Sequence, residues 1–277
     1  MIQLEKFNNY LFNKGMSYNT IQAYINDILL YCKNCNIETK GDITEKSIKE
    51  YIDNMKNAGV SDSKINRTVS SIRSFLEFLN IDYISIKNPV INRKSEKKTP
   101  VILDRNEIVN FLSIPEGNTY KSLRDKLILE MMYYTGIKVS ELIELRIKDI
   151  NFEIGTVIIR SENDRIIPIN MQLSDKLKKY IQTFKTEQTN NDLLFTNLRG
   201  SKLTRQGVWK IVSYYSDKSD INKIITPNTL RHTFATHLID NGADLKYVKS
   251  LLGFSDKSSA STYIDYLRDK YSVGYLE

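Results

Sequence analysis

The 277-residue sequence contains few of the residues that bind metals or carry redox chemistry. It has two cysteines and two histidines, whereas a structural zinc site needs four ligands. Cys32 and Cys35 are three residues apart and far in sequence from His232 and His237. Cys32 continues the apolar face of a predicted helix, and Cys35 follows the end of that helix. We therefore predict that both cysteines are structural, without a metal or redox role.

Long apolar runs are also missing. No uninterrupted run approaches the roughly 20 apolar residues needed to cross a bilayer. The first five residues carry neither the basic nor the apolar region of a secretory leader. The sequence therefore predicts a cytoplasmic protein, free in the cytoplasm or associated with the nucleoid, without a membrane partner.

Positive charge, in contrast, is in excess. Forty Lys and Arg residues stand against 33 Asp and Glu residues, which gives a formal net charge of +7. This excess favours a polyanionic partner but says nothing about the fold. The 41% hydrophobic content is enough for ordinary cores, and the length suggests about two domains.

The first 88 residues have the pattern of a small helical bundle. Apolar residues recur at helical spacing over residues 20–32, 43–57 and 61–79. Ser17 and Asn19 offer capping oxygens just before the first of these helices. The pattern predicts an all-helical domain over residues 1–88.

A basic segment follows this domain. It has no apolar periodicity, contains Pro89, and carries one acid, Glu96, against the cations Lys87, Arg93, Lys94, Lys97 and Lys98. These features predict a linker over residues 89–99. A basic linker between two DNA-clamping domains would follow phosphates, so Arg93, Lys94, Lys97 and Lys98 are DNA-binding candidates. A merely solvated hinge is the alternative.

The second predicted domain, residues 100–277, begins with helices. Asp104 and Glu107 have the spacing of a capping box at a helix start. Further helices are predicted over about residues 122–134 and 139–145, separated by Thr135 and Gly136.

After residue 145 the helical spacing of apolar residues is interrupted by a short β-rich region and then resumes. Two short β-rich runs, residues 156–160 and 165–169, predict a hairpin. Thr226 followed by Pro227 predicts a helix start, and a last helix over residues 244–252 ends at Gly253. The fold class predicted is mainly α with a small antiparallel β-sheet.

The strongest signal in the chain lies in residues 226–238, which read Thr-Pro-Asn-Thr-Leu-Arg-His-Thr-Phe-Ala-Thr-His-Leu. This segment resembles the central active-site motif of the tyrosine recombinases, the phage-integrase and Xer-type family. Residues 134–142 and 251–256 resemble two further motifs of that family, and residues 195–209 share its character. The resemblance extends over nearly the whole chain.

The resemblance also implies the two domains. Residues 1–88 are similar to the helical core-binding (SAM-like) domain of the family, which clamps DNA. Residues 100–277 are similar to its catalytic domain.

The same resemblance implies a covalent mechanism. Tyr263 lies nine positions after Phe254, where the family places the tyrosine that attacks a DNA phosphate, forms a 3′-phosphotyrosyl bond and releases a 5′-hydroxyl. Because the attachment conserves the bond energy, no nucleotide cofactor is implied, and the family works without a metal. Tyr266, Tyr271 and Tyr275 are nearby, and spacing alone selects Tyr263.

Among the other catalytic slots, Arg231 matches the second arginine of the family, a bidentate phosphate clamp; a structural salt bridge is the alternative. Lys138 replaces the first arginine and keeps the charge without the planar fork. Asn228 replaces a histidine and can donate a hydrogen bond but cannot shuttle a proton. Phe254 replaces a histidine or tryptophan, offers no N–H donor, and is expected to pack beside Gly253.

The family's hairpin lysine, often its general acid, has no clear counterpart. Aligned from one end of the hairpin, Arg160 takes its place, and from the other end Glu162 does. Arg160 would supply charge but is a poor acid, because its pKa lies above about 12. Lys202 is a further stand-in.

Outside this pocket, Arg205, Gln206 and Lys210 are DNA-contact candidates. Trp209, the one tryptophan of the sequence, is expected to lie in the core, with a DNA contact as the alternative. His232 and His237 are expected to be structural, since His232 points about 100° away from Arg231 around the helix.

Three functions fit these residues. The first is a recombinase that cuts and reseals two duplexes, with double-stranded DNA as substrate and with a homo-oligomer or a partner recombinase on the DNA. The second is a relaxase that nicks one strand on the same scaffold. The third is a DNA-binding accessory protein that has lost the chemistry. Xer-type proteins pass a C-terminal helix to a neighbouring subunit; here the tail, Ile264 to Glu277, is short, and cyclic assembly through it stays an open alternative.

Overall fold

The computed structural model describes residues 3–81, 100–161, 164–185 and 192–254. The chain divides into two compact units, Met1–Glu96 and Lys97–Glu277. The predicted linker, residues 89–99, lies outside the described residues together with Arg93, Lys94, Lys97 and Lys98. The domain boundaries at 88 and 99 therefore stay predictions.

Helices alone form the described part of the first unit, as the periodicity predicts. They are α1 Leu4–Asn13, α2 Tyr18–Asn34, α3 Glu45–Asn57 and α4 Asp62–Phe78. The sequence analysis did not predict α1, whose N-terminus lacks a side-chain cap. At the start of α2, Ser17 Oγ accepts a hydrogen bond from the Thr20 amide at 3.3 Å, whereas Asn19 lies within the helix.

All four helices, α1 to α4, contribute buried apolar side chains to the core of this unit. Phe7 and Phe75 meet edge to face, with their ring centroids 4.9 Å apart. Buried Asp27 of α2 accepts two hydrogen bonds from Arg67 of α4, at 2.8 and 2.9 Å. A buried carboxylate is tolerated when it is paired in this way, so the pair fixes α4 against α2.

Both cysteines belong to this core, as predicted. Cys32 and Cys35 are free, partly buried and packed against the apolar cluster. Burial raises the pKa of Cys32 to about 11 and also raises that of Cys35. Because the thiolate is the reactive form, these thiols are poorly suited to redox chemistry.

The second unit is mainly helical, with one small sheet in its described part. Its helices are α5 Arg105–Ser113, α6 Tyr120–Thr135, α7 Val139–Leu142, α8 Met171–Phe184, α9 Arg205–Asp217, α10 Pro227–Asp240 and α11 Leu245–Leu252. Its strands are β1 Ile150–Asn151, β2 Thr156–Ile159 and β3 Arg165–Pro168. The predicted fold class is confirmed.

The sheet is antiparallel, in the order β1-β2-β3. The predicted hairpin is confirmed, with Val157 opposite Ile167 and Ile159 opposite Arg165. Val157, Ile159 and Ile167 are buried, so one face of the hairpin covers the core. The short strand β1 was not predicted.

Helix α6 is the centre of this unit. Its buried residues include the run Leu127, Ile128 and Leu129, so apolar contacts surround it rather than lying on one face. It packs against α8 and α10. Its C-terminus and that of α11 bound the candidate site. Among the described helices, none is long and apolar enough to cross a membrane.

The side-chain caps predicted at the starts of α5 and α10 are both present. Asp104 Oδ1 accepts from the amides of Asn106 and Glu107, both at 2.8 Å. Thr226 Oγ1 accepts from the Thr229 amide at 3.1 Å, with Pro227 at the first position of α10. The helix predicted over residues 139–145 is shorter than expected, because α7 ends at Leu142.

Candidate active site

Arg231 lies in the second turn of α10 and is buried, with 7% of its surface exposed. Its Nη1 donates to the carbonyl oxygen of Gly136, and its Nη2 donates to that of Leu252 at 2.5 Å. These carbonyls belong to the C-terminal ends of α6 and α11, where helix carbonyls lack intrahelical partners. Arg231 therefore ties both helix ends to α10.

Both helix ends turn through glycine in the left-handed conformation. Gly136 has φ 59° and Gly253 has φ 62°. A Cβ on Gly136 would lie 2.5 Å from Phe234 Cδ1 and 2.8 Å from Leu252 Cδ2. Only glycine allows the backbone to turn this close to α10 and α11, and this contact brings the Gly136 carbonyl to Arg231.

Lys138 follows Gly136 by two residues and caps α7. Its amide donates to Glu141 Oε2 at 2.8 Å, and its Nζ lies 3.9 Å from Glu141 Oε1. The Lys138 side chain is 44% exposed, unlike that of Arg231. The Lys138 side chain therefore lies at the open edge of the site, in an ion pair with Glu141.

A buried ion pair that the sequence analysis missed lies next to Lys138. Arg165 Nη1 and Nη2 donate to Glu141 Oε1 and Oε2 at 2.9 and 2.8 Å. Burial alone would raise the pKa of Glu141, but the hydrogen bonds and charge of Arg165 outweigh it and lower this pKa. One signal was available, since Glu141 belongs to the quoted segment 134–142.

Arg165 also reaches α11. Its Nε donates to the Leu251 carbonyl at 2.6 Å, one residue before the carbonyl that Arg231 binds. The two arginines thus hold successive carbonyls at the negative end of the α11 dipole. Gly253 follows directly, and a Cβ there would lie 2.7 Å from Arg165 Nη1.

Arg160 follows β2 immediately and is anchored at the sheet. Its Nε donates to buried Asp149 Oδ1 at 2.9 Å, and its side chain is 59% exposed. Its neighbour Ile159 lies opposite Arg165 in the hairpin, so Arg160 comes directly after the last residue of β2 that pairs with β3. The competing alignment selects Glu162, which is outside the described residues.

Asn228 and Phe254 occupy the other altered slots. Asn228 is exposed on the first turn of α10. Phe254 is partly buried and packs against the core, with its ring centroid 5.1 Å from Cζ of Arg231. A cation over an aromatic face is attracted by the ring quadrupole, so Phe254 contributes to holding the guanidinium.

The candidate nucleophile, Tyr263, lies outside the described residues, as do Tyr266, Tyr271, Tyr275 and the tail Ile264 to Glu277. The site described above consists of the cations and donors that would surround a phosphate. The assignment of Tyr263 stays a prediction.

Helix α9 presents the other predicted DNA contacts. Arg205, Gln206 and Lys210 are all exposed on it. The prediction for Trp209 was wrong, because 46% of its surface is exposed. The buried face of α9 is formed by Val208, Val212 and Tyr215, and Trp209 lies about 100° from Val208 around the helix.

His237 and Lys202 have protein partners that the structure defines, and His232 is partly buried. His237 Nδ1 lies 3.0 Å from the Tyr133 hydroxyl. Burial, together with the charge of Arg231, lowers the pKa of His232 to about 4. Lys202 Nζ pairs with Glu144 Oε1 on the surface. An ion pair here would have to break before Lys202 could serve as an acid.

Family models match both halves of the chain. Residues 102–269 match the phage integrase family, and residues 4–80 match the phage integrase N-terminal SAM-like domain. The chain therefore belongs to the phage integrase family, with an N-terminal SAM-like domain and a C-terminal integrase catalytic domain.

The chain is also similar to tyrosine recombinases of the Xer type. The chain is 39% identical over 261 residues to a tyrosine recombinase XerD of Staphylococcus haemolyticus, with 90% of this chain and 88% of the relative covered. It is 36% identical over 272 residues to a tyrosine recombinase XerD of Staphylococcus epidermidis, with coverage of 94% and 92%.

Solved structures agree on the fold. XerH site-specific recombinase bound to difH substrate matches with a TM-score of 0.72 at 23% identity, covering 93% of this chain and 80% of that one. The Tn1549 transposon integrase in complex with transposon right end DNA matches with a TM-score of 0.72 at 20% identity, covering 99% of both chains.

Proposed function

We propose that this chain is a Xer-type site-specific tyrosine recombinase that cleaves and rejoins double-stranded DNA through a 3′-phosphotyrosyl bond at Tyr263. The observation that carries the proposal is the anchoring of Arg231 between the ends of α6 and α11, with the exposed ammonium of Lys138 two residues beyond Gly136. It supports a phosphate site in a chain whose relatives are tyrosine recombinases.

The reaction requires two proton movements. The Tyr263 hydroxyl loses its proton and its oxygen attacks the scissile phosphorus. The P–O5′ bond breaks, and the leaving 5′-oxygen takes up a proton from an acid. The reverse reaction, with a 5′-hydroxyl as the attacking group, reseals the strand and releases the tyrosine.

Charge develops on the nonbridging oxygens in the transition state. Fixed cations and donors that meet this charge are worth about 10²–10³-fold each in rate. Lys138 and Arg160 have exposed cationic groups for this role, Arg231 adds a fixed guanidinium, and Asn228 adds an amide donor. Lys138 acts as a point charge, so its contact with phosphate is less directional than that of an arginine fork.

Duplex DNA and a second recombinase subunit are the proposed partners. Arg205, Gln206 and Lys210 on α9, with Arg93, Lys94, Lys97 and Lys98, would contact the duplex. Related structures include a lambda integrase tetramer bound to a Holliday junction, and we extend that assembly mode, as a homo-oligomer or with a partner recombinase, to this chain. We infer that the chain acts on such a substrate in the cytoplasm.

Covalent capture tests the proposal. Duplexes that bind the full-length chain are selected from a randomised pool and resynthesised with nicks at successive positions, so that a cleaved fragment diffuses away and the adduct accumulates. We expect a covalent protein–DNA band with the parent chain, none with Tyr263→Phe, and a band with the control Tyr266→Phe. Tight binding without any adduct would instead favour a DNA-binding accessory protein.

Strand exchange separates the enzymatic alternatives. A recombinase transfers strands between two labelled duplexes, whereas a relaxase nicks one strand of a supercoiled plasmid. We expect exchange, and nicking of one plasmid strand without exchange would contradict the recombinase proposal.

A further inference from the structure

Trp209 of α9 exposes an indole that the core of the second unit does not enclose. Val208, Val212 and Tyr215 form the buried side of this helix, while 46% of the Trp209 surface is open to solvent. Single exposed apolar side chains are common on proteins, so this exposure carries no functional meaning by itself. The residues beside Trp209 decide what its indole can contact.

Those neighbours are cationic or polar. Arg205 and Gln206 precede Trp209 by four and three residues and therefore lie one helical turn away on the same side, and Lys210 follows it directly. All three are exposed. At about 100° per residue, Trp209 lies between Arg205 and Gln206 around the helix axis. These four residues, here named the α9 face, combine two positive charges, an amide and an indole.

A second exposed aromatic on the same helix, Tyr214, has a different environment. Its exposed fraction, 45%, nearly equals that of Trp209, but its ring already has partners in the chain. Lys218 Nζ lies 4.7 Å and Lys121 Nζ 5.0 Å from the Tyr214 ring centroid. In the part of the chain that the structure describes, the Trp209 ring stacks on no aromatic ring and lies under no cation. Of the two, only Trp209 presents a ring that the chain's own cations do not occupy.

The chemistry of the DNA grooves limits what such an indole can read. The major groove, about 12 Å wide, admits an α-helix, and the apolar group that base edges display there is the C5-methyl group of thymine. Arginine and glutamine read guanine and adenine edges in the same groove. An indole that enters the groove beside Arg205 and Gln206 therefore has thymine methyl groups as its apolar partners on the bases.

We propose that Trp209 is a specificity-determining residue that contacts the C5-methyl group of a thymine in the major groove of the target duplex. This inference rests on the proposed function, in which α9 contacts the duplex, and adds the base that is read. Arg205 and Gln206 lie about 4.5–6 Å from Trp209 along the helix axis, and base pairs are about 3.4 Å apart. The thymine therefore lies within about two base pairs of a base that Arg205 or Gln206 reads.

Deoxyuridine scanning tests this contact, because it removes the methyl group and leaves the base pair intact. Each thymine of a duplex selected for binding is replaced in turn, and the Kd of the full-length chain is measured. We expect a loss of about fourfold at one position of each bound half-site, the equivalent of burying one methyl-sized group. With Trp209→Ala, the same replacement should leave the Kd of the variant unchanged.

Tyr214→Ala is the matched control, since it removes an aromatic side chain of nearly equal exposure from the same helix. We expect this variant to keep the parent's sensitivity to deoxyuridine, and melting curves check that both variants are folded. A scan in which the parent and Trp209→Ala respond alike at every thymine would overturn the inference.

Fluorescence gives a second readout, because Trp209 is the one tryptophan of the sequence. Acrylamide should quench the half-exposed indole of the free chain, and we expect a saturating duplex to reduce this quenching. Unchanged quenching in the complex would overturn the inference. A parent chain that forms an adduct but shows no Trp209-dependent thymine would overturn the inference alone, whereas a parent chain that binds no duplex would overturn the proposed function with it.

Discussion

The side chains of the candidate site fall into a buried floor and an open rim. The site floor consists of Glu141, Arg165 and Arg231, and the site rim consists of Lys138, Arg160 and Asn228. In the floor, both guanidiniums are bound to protein oxygens, three of them main-chain carbonyls at the ends of α6 and α11. In the rim, the Lys138 and Arg160 side chains are about half exposed.

This difference separates two uses of positive charge. A buried guanidinium in a fixed hydrogen-bond geometry holds backbone segments together, whereas the half-exposed side chains of Lys138 and Arg160 each keep one protein ion pair and a face toward solvent. We therefore expect substitutions in the floor to affect both folding and cleavage, and substitutions in the rim to affect cleavage far more than folding.

The largest effect is expected from the floor variant Arg231→Met. It leaves the carbonyls of Gly136 and Leu252 without their donor, which should lower the free energy of unfolding by about 3 kcal/mol or more and abolish adduct formation. Urea unfolding followed by the fluorescence of Trp209, which lies in the second unit, measures the loss.

Arg160→Met is the rim counterpart. Its side chain is 59% exposed, so water can replace it at Asp149, and we expect a loss of about 1 kcal/mol. Equal losses for Arg231→Met and Arg160→Met would remove the distinction between floor and rim.

Lys138→Met should slow adduct formation by about 10²–10³-fold, because it removes a charge that stabilises the transition state. Its effect on the unfolding free energy should stay below about 1 kcal/mol, since an exposed ion pair contributes little. Single-turnover rates on the nicked duplex, with melting curves of the same samples, measure the two quantities.

Lys138→Arg tests whether the lysine limits the rate of DNA cleavage. If it does, the planar guanidinium of arginine, which can bind phosphate through two hydrogen bonds, should raise that rate. A lower rate would mean that the floor and rim are arranged around the shorter, point-like lysine charge.

Gly253→Ala tests whether the end of α11 is held by the floor. The positive φ of 62° disfavours alanine by about 1–2 kcal/mol, and the new Cβ must also displace Arg165 Nη1. Gly242→Ala is the matched control, since Gly242 has φ 88° with nothing within 4 Å of its Cβ. We expect Gly253→Ala to lower the free energy of unfolding more than Gly242→Ala does. Equal losses would show that the Arg165 side chain moves aside from the new Cβ at no measurable cost in stability.

The last prediction concerns pH and His232, beside Arg231. Its pKa is lowered from 6.5 to about 4 in the folded chain, so between these values the unfolded chain binds a proton that the folded chain does not. Stability therefore falls as pH decreases from 6.5 to 4. His232→Gln should make the melting midpoint less dependent on pH in this window, and an unchanged slope would contradict the burial of His232.

Local signals predicted most of the elements that build the site. Thr226 and Pro227 marked the start of α10, Gly253 marked the end of α11, and two short β-rich runs marked the hairpin. The pattern of α9 also contained the position of Trp209, because Val208, Val212 and Tyr215 already define a buried face that excludes it. The error came from weighting residue type above periodicity.

The Arg165–Glu141 pair could not be predicted in the same way. Glu141 caps α7 and Arg165 starts β3, and their contact depends on how the hairpin packs beside the end of α11. Likewise, the sequence identified Arg231 as a cation of the site, but not that its guanidinium would bind the carbonyls of two helix ends. Such contacts follow from tertiary packing rather than from local propensity.

The most direct test of the account is to identify the residue that carries the DNA. After covalent capture, digestion with protease and nuclease leaves a short nucleotide on one peptide, which tandem mass spectrometry can locate. We predict a 3′-phosphotyrosyl linkage on Tyr263. A nucleotide on Tyr266, Tyr271 or Tyr275 instead, or a DNA complex that never yields a modified peptide, would contradict the account.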